Sequence, residues 1–540
     1  MFVFIQLFYF IILFVNIYKK SFVTEVFYIY KNFLYFLYSK RGNPPFCTLY
    51  FVLCIMNLST ASLVEILEAI KSGEVTQAQV WEHFDHITTE LDPELQAYNY
   101  RTPSRPEPTY GPLAGLPLAI KDVYSETGVP TTASSKMLEN YIAPYESTAT
   151  KRLKAAGMIS LGKVNHDEFA MGATGEHSAL RISRNPWDPT RVPGGSSSGS
   201  SVAVASGMAP VSIATDTGGS IRQPASLTGV VGFKGTYGTV SRYGVIPMAS
   251  SLDTMGVLSR TVRDAHLVWD AMQGHDPLDA TTLDGRIEVS PDIWNRKDLK
   301  GVKIGLPKEY FGEGIEAGTR EVIEQAKKTL TDLGAELIEV SLPSTDYALA
   351  AYYVIVPSEV SSNLARFDGV RFGHITGEEF RDYADWISHT RSEGFGAEAK
   401  RRIMIGAFAL SSGFYDAYYH RASLVRELVR REFAETFQKV DVIATPVSPM
   451  VAWKIGKMDN DPLASYMADI FTVPGALAGI PGLSVPAGYA APADDASLSL
   501  PVGLQIMGPK LGEEKVLMVG HVFEQAMQEK INAQRPKVWK

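Results

Sequence analysis

The chain has 540 residues, of which 45% are hydrophobic and 20% charged, and its formal net charge is −8. This is the composition of an ordinary globular protein, and the acidic balance argues against a chain that grips nucleic acid by its own charge. Its two cysteines, Cys47 and Cys54, both lie near the start, so neither a disulfide framework nor a cysteine-rich zinc site is available.

Residues 1–55 differ from everything after them. They hold 18 of the 50 Phe and Tyr residues and no alanine. Segment 1–18, MFVFIQLFYFIILFVNIY, is apolar except for Gln6 and Asn16, and Lys19 and Lys20 follow it. Its length is marginal for a membrane span. It also lacks the basic lead and the small-residue cleavage site of a signal peptide. The segment reads as non-native, with a start at Met56; a membrane anchor and a cleaved targeting segment are the alternatives. The tail carries +4, which leaves −12 for the rest of the chain. The domain reading is a hydrophobic extension over 1–55 and one domain over 56–540.

Ser62 and Glu65 have capping-box spacing. They predict a helix over 62–72, ended by Gly73, and a second helix follows over 77–91. A proline-rich connection, RTPSRPEPTYGP, leads to LPLAIKD, a short buried strand that ends in Lys121. ATKRLKAAGMISLGKVN reads as a helix stopped at Gly157 and then a strand. PVSIA is a strand that runs into Asp-Thr-Gly-Gly-Ser. In REVIEQAKKTLTDLGAELIEVSLP, Val322, Ile323, Ala326, Leu330 and Leu333 line one helix face, Gly334 closes the helix, and AELIEV is a strand. VDVIATP is a further buried strand. Such alternation predicts an α/β fold with helices covering a sheet. The glycine- and serine-rich section 193–260 reads as a site rather than a scaffold.

Two motif matches fail on context. GSSSG at 195–199 places Ser197 where a nucleophile elbow would, but that elbow needs a strand directly before it, and RNPWDPTRVPG cannot be a central strand. GMISLGKV at 157–164 fits a phosphate loop until Val164 takes the place of Ser or Thr. The histidines show no HExxH and no paired metal spacing, and no metal site is expected. His83 and His86 read as a partly exposed surface pair.

TDTGGS offers unobstructed backbone N–H groups, with Ser220 directly after Gly218 and Gly219. Alone it reads as a glycine turn after a strand. A serine nucleophile needs a base and an oxyanion site. Lys121 can act as a base if burial neutralises it.

The run PGGSSSGSSVAVASGMAPVSIATDTGGSIRQPAS resembles the signature of the amidase signature enzymes. AIKD places Lys121 75 residues before Ser196, and Ser196 stands 24 before Ser220, as in that family. The resemblance implies a single domain with a mixed central β-sheet covered by α-helices. It also implies a triad of Ser220 as nucleophile, Ser196 as bridging serine after a cis peptide, and Lys121 as general base. The N–H groups of Thr217, Gly218, Gly219 and Ser220 would form the oxyanion hole, with Asp216 and Arg222 as structural partners. One departure is visible, because the family usually has glycine at the position of Ser198 or Ser200. The triad is intact, so a scaffold that has lost its chemistry is disfavoured.

Further stretches resemble the A subunits of bacterial-type tRNA-dependent amidotransferases: GTYGTVSRYGVIPMASSLDTMG, AYYVIVPSEVSSNLARFDGVRFG, SEGFGAEAKRRIMIGAFALSSGFYDAYY and DPLASYMADIFTVPGALAGIPGLSVPAG. This resemblance implies hydrolysis of glutamine, held by Arg402 at its α-carboxylate and Asp469 at its α-ammonium, with Tyr352 contributing. The ammonia would pass to B and C partner subunits that amidate Glu-tRNA(Gln), and possibly Asp-tRNA(Asn). It implies no cofactor in this chain, ATP and Mg²⁺ at the partner subunit, tRNA contact only through that partner, and a cytoplasmic location. The alternative is a stand-alone amidase resembling fatty-acid amide hydrolase, membrane-associated through residues 1–38.

Overall fold

Eleven strands form one mixed sheet in the computed structural model, which describes residues 57–538 apart from 105, 459–461, 535 and 537. In chain order these are β1 (Tyr98–Arg101), β2 (Pro117–Lys121), β3 (Ile159–Val164), β4 (Val211–Asp216), β5 (Val231–Lys234), β6 (Thr254–Ser259), β7 (Lys303–Pro307), β8 (Glu336–Val340), β9 (Val442–Pro446), β10 (Gly482–Ala490) and β11 (Leu500–Met507). Their spatial order is β1-β3-β2-β4-β6-β5-β10-β11-β9-β7-β8. β2 runs parallel to both β3 and β4, and β7 runs parallel to β8 and β9. The other pairings are antiparallel.

Every residue of β2, β4, β5, β6, β9 and β11 is buried. A strand covered on both faces needs no polar side, which is why PLAIK and VSIATD do not alternate. Helices supply the cover. Two of them, Ser198–Ala205 and Arg222–Thr228, pack onto the sheet through Val204, Ala205, Ile221 and Ala225, which meet Ala214 and Leu258.

The expected elements form, with one change of extent. The first helix is Leu63–Ser72, with a reciprocal Ser62–Glu65 capping box and Gly73 at φ +74°. The second runs Gln77–Leu95 rather than stopping at 91. Pro93 lies in its last turn, where it removes one helical N–H and leaves the chain free to complete that turn. Termination comes from Gln96, in the left-handed conformation, and from Asp92, whose carboxylate accepts from the N–H groups of Ala97 and Tyr98. Helix Ala317–Asp332 and strands β8 and β9 follow the sequence reading.

Two helices outside the sheet, Thr345–Asn363 and Ala397–Leu410, cross at close range. Their contact point is Gly406, where an added Cβ would lie 1.8 Å from the Pro357 carbonyl oxygen. That approach brings Tyr352 and Arg402, one from each helix, toward the same place.

Leu58–Lys540 forms a compact unit. Among the described residues no helix is long and apolar enough to cross a membrane. The extension over 1–55, its boundary at Met56 and the anchor reading over 1–38 lie outside the described residues.

Gly406→Ala forces backbone apart at this crossing. It is expected to lower stability by about 2 kcal/mol, because overpacking outweighs the better helix propensity of alanine. The midpoint of denaturant unfolding reports the loss; an unchanged midpoint would show that the crossing yields without strain.

Candidate active site

Parallel strands end together, so β2 and β4 deliver Lys121 and the Asp216–Ser220 turn to the same sheet edge, where α/β sheets commonly bind ligands. Lys121 closes β2 and is fully buried. Its Nζ lies 2.8 Å from Ser196 Oγ, 2.9 Å from Ser197 Oγ and 2.9 Å from Thr215 Oγ1. Among the described residues it has no carboxylate partner at ion-pair distance. Burial lowers its pKa to about 7, against a smaller raising influence from Asp167, Asp253 and Asp216. A neutral amine has two N–H groups and one lone pair, which matches three hydroxyl neighbours. Ser197 Oγ donates to the Thr215 carbonyl, so it accepts from Nζ. The lone pair can then face the Ser196 hydroxyl.

The Gly195–Ser196 peptide is cis, as the resemblance implies. Gly195 N–H donates to Gln223 Oε1, whose own amide donates to the Ala173 carbonyl. A Cβ at Gly195 would lie 2.1 Å from Asp167 Oδ2, so glycine is needed there. Ser197 N–H donates to the Ser220 carbonyl, which stitches the serine loop to the second turn. Ser220 is almost fully buried, at 6% exposure. It precedes the Arg222–Thr228 helix as Ser197 precedes the Ser198–Ala205 helix, so both helices point their positive ends at the site.

Asp216 and Arg222 form a buried two-point pair, Nε to Oδ2 at 2.9 Å and Nη2 to Oδ1 at 2.8 Å. Burial pushes the Asp216 carboxyl up, but the Arg222 guanidinium outweighs it and holds the carboxyl below its ordinary range. The same carboxylate accepts the N–H groups of Ile221 and Arg222, capping the helix that follows. Thr217 Oγ1 donates to Asp253. The N–H groups of Gly218, Gly219 and Ser220 donate to no group among the described residues. Unclaimed and adjacent, they are free to converge on an anionic oxygen.

Two of the residues expected to hold substrate, Tyr352 and Asp469, lie against this turn. A Cβ at Gly218 would stand 2.6 Å from the Tyr352 hydroxyl, and one at Gly219 would stand 3.0 Å from Asp469 Oδ1 and 2.2 Å from Thr472 Oγ1. Both glycines are therefore required by close packing. Asp469 Oδ1 is buried and has no partner among the described residues. Burial, followed by the nearby Asp216 charge, raises its pKa to about 8. Arg402 is buried, and among the described residues only its Nε has a protein partner, Glu398 Oε1 at 2.7 Å.

The sequence reading missed Thr215, Ser197, Asp167, Gln223 and Glu398. One usable signal existed. β3 is parallel to β2, so the loop after Val164, with Asp167, must emerge at the same edge. The false phosphate loop is structural: its Lys163 is buried on Asp122 and the Tyr124 carbonyl. The histidines do not act as a pair; His83 meets Ser59, while exposed His86 meets Glu90. Ser198 and Ser200, the departures from the family pattern, bury hydroxyls with no partner among the described residues. Those residues contain no cluster of three His, Cys, Asp or Glu suited to a metal ion.

A family model described as Amidase matches residues 83–517. The chain is 49% identical over 487 residues to the A subunit of a glutamyl-tRNA(Gln) amidotransferase from Thermoanaerobacter pseudethanolicus, covering 87% of this chain and 97% of the relative. Among solved structures it resembles the A subunit of glutamyl-tRNA(Gln) amidotransferase from Thermotoga maritima, with TM-score 0.74 and 39% identity over 87% of this chain and 95% of that one. A peptide amidase from Stenotrophomonas maltophilia matches with TM-score 0.72 and 29% identity, over 89% and 99%.

A fluorophosphonate directed at serine nucleophiles is expected to label Ser220. The labelling rate should rise with pH through about 7, where Lys121 loses its proton. Lys121→Arg keeps its charge at every accessible pH and should slow labelling at least about 100-fold. Peptide mass spectrometry locates the adduct; an adduct on another serine, or a rate flat with pH, would overturn the arrangement.

Proposed function

The chain belongs to the amidase family, and we propose that it hydrolyses the side-chain amide of glutamine and supplies the ammonia to a tRNA-dependent amidotransferase that converts Glu-tRNA(Gln) to Gln-tRNA(Gln). The observation that carries this reading is a buried acid against the glycine turn together with a buried guanidinium, each with atoms left unclaimed among the described residues. Asp469 offers a buried carboxylate oxygen without a partner among the described residues, and Arg402 offers a guanidinium whose terminal nitrogens are unclaimed there. A free amino acid presents an ammonium and a carboxylate at one end and an amide at the other, and these two groups suit the first end. An acyl chain would gain nothing from them, which disfavours the reading as a stand-alone fatty-acid or aryl amidase.

The chemistry then starts from the Lys121–Ser196 hydrogen bond. Neutral Lys121 takes the Ser196 proton as Ser196 takes the Ser220 proton, and Ser220 Oγ bonds to the side-chain amide carbon. The N–H groups of Thr217, Gly218, Gly219 and Ser220 hold the oxygen that becomes negative. When the carbon–nitrogen bond breaks, the proton returns through Ser196 and ammonia leaves. Water, activated by the same relay, splits the ester and releases glutamate. Both helix termini support the negative charge that builds here.

In this reading the chain is the glutamine-hydrolysing member of a heteromeric complex with B and C subunits in the cytoplasm. The partner binds ATP with Mg²⁺, activates the tRNA-linked carboxylate and holds the tRNA; Asp-tRNA(Asn) is a second acceptor class. An apolar ridge supports a covered face: Met404, Phe408, Phe414 and Tyr418 are exposed, and the three aromatic rings touch one another.

The test is glutaminase activity of the purified full chain, with and without its partner subunits and aminoacyl-tRNA. Activity should rise with the partners, and Ser220→Ala should lose at least about 1,000-fold. As pH rises, kcat should climb through about 7 as Lys121 becomes neutral. KM should fall through about 8, because Asp469 must be ionised to pair with the substrate ammonium. Preference for long-chain or aryl amides over glutamine would sink the reading, and a KM flat with pH would remove Asp469 from it.

A further inference from the structure

Arg402 is held by more than a salt bridge. Glu398 stands one helical turn before it on Ala397–Leu410, the i, i+4 spacing at which such side chains meet. Glu398 Oε1 accepts from Arg402 Nε at 2.7 Å and from the Tyr466 hydroxyl at 3.0 Å, while Oε2 meets Arg401. The Tyr466 ring stacks on Tyr353 with centroids 3.9 Å apart, and both rings face the Arg402 guanidinium, at 5.8 and 5.4 Å. Tyr353 in turn meets Tyr352, the residue that covers Gly218.

A negative charge this close weakens the pull of Arg402 on a substrate carboxylate. Its presence calls for a compensating gain, and geometry supplies one. A guanidinium binds a carboxylate best through two parallel N–H groups, which requires a fixed plane. Glu398 anchors the Nε side and the two tyrosine rings limit rotation, which leaves the terminal nitrogens unclaimed among the described residues.

We propose that Glu398 is a positioning residue that sets the plane of Arg402 for two-point capture of the substrate α-carboxylate. This rests on the reading of Arg402 as the carboxylate-binding group. Glu398 does not touch the reacting atoms, and its effect belongs to substrate binding.

The experiment uses the full chain purified with the subunits that support its glutaminase activity. Glu398→Ala should raise KM for glutamine about tenfold or more, with kcat within about threefold of wild type. Glu398→Gln keeps an oxygen acceptor for Nε and the Tyr466 hydroxyl, so it should restore KM to within about threefold. Butyramide, which lacks the α-carboxylate, should be hydrolysed by Glu398→Ala as by wild type. If Glu398→Ala slows butyramide and glutamine alike, or if Glu398→Gln is as impaired as Glu398→Ala, the positioning role is overturned. Arg402→Ala separates the two levels. If it raises KM while Glu398→Ala does not, this proposal fails and the reading of Arg402 stands; if it leaves KM unchanged, that reading fails. Should Glu398→Ala not fold, Tyr466→Phe decides: it should raise KM about threefold, and a wild-type KM would refute the clamp.

Discussion

Lys121 has to be buried without a counter-ion, and much of the surrounding structure follows from that requirement. A lysine held near neutrality at pH 7 gives up its hydration, at a cost of about 5 kcal/mol for a pKa moved from 10.5 to about 7. Three hydroxyls soften the loss without restoring the charge. A carboxylate at the same distance would do the opposite and keep the ammonium charged. The nearest acids are therefore occupied elsewhere: Asp167 with the N–H groups of Gly175 and His177, Asp253 with Thr217 and two backbone N–H groups, and Asp216 with Arg222. A central strand buried on both faces provides the dry setting, and the apolar strands around it supply the stability that the lysine takes away.

The same economy separates two kinds of buried charge in this small region. Asp216 and Arg222 satisfy each other and join the turn to Thr472 and Gln505. Removing either partner would strand the other in a dry interior, so the pair builds structure. Asp469 lies close by with an oxygen left over, and its carboxyl is pushed up to about 8 where Asp216 is held down. Acids whose environments drive their titration apart serve different ends. The paired one supports the loop, and the one left open is, in the proposed reading, the partner for the substrate ammonium.

What could be read from the chain, and what could not, divides along sequence distance. Capping at Ser62–Glu65, the periodic face of Ala317–Asp332 and the buried run PLAIK depend on neighbours within a turn or two, and they were legible. The proposed triad came from the resemblance, which supplied a spacing that composition could not. Gln223 and Thr215 were not legible, because each acts across a contact that nothing local announces. Thr215 lies 94 residues from Lys121, and Gln223 reaches Gly195 across 28. The overrun of the second helix past Pro93 is a local exception: Asp92 ends it through the N–H groups of Ala97 and Tyr98 just beyond the helix. Glu398 was passed over for a different reason: in AEAKRRI it looks like one more surface charge, and only burial against Tyr466 and Arg402 sets it apart.

The site is assembled from two sources with different freedom to change. In the proposed reaction, bond breaking belongs to the edge of the sheet: β2, β4 and the starts of two short helices carry the lysine, the serines and the free N–H groups. A second group of residues comes from outside the sheet: Tyr352, Glu398, Arg402 and Tyr466 lie on helices, Asp469 follows, and Tyr352 and Asp469 reach the glycine turn. The two meet where a Cβ on Gly218 or Gly219 would collide with Tyr352, Thr472 or Asp469. Glycine there leaves the recognition layer free of any side chain from the catalytic turn. A fold built this way can alter the layer above and keep the chemistry beneath, which is how one scaffold comes to serve many amides. In this chain the upper layer carries a buried acid and a guanidinium with atoms unclaimed among the described residues, and in the proposed reading these, more than the triad, point to glutamine.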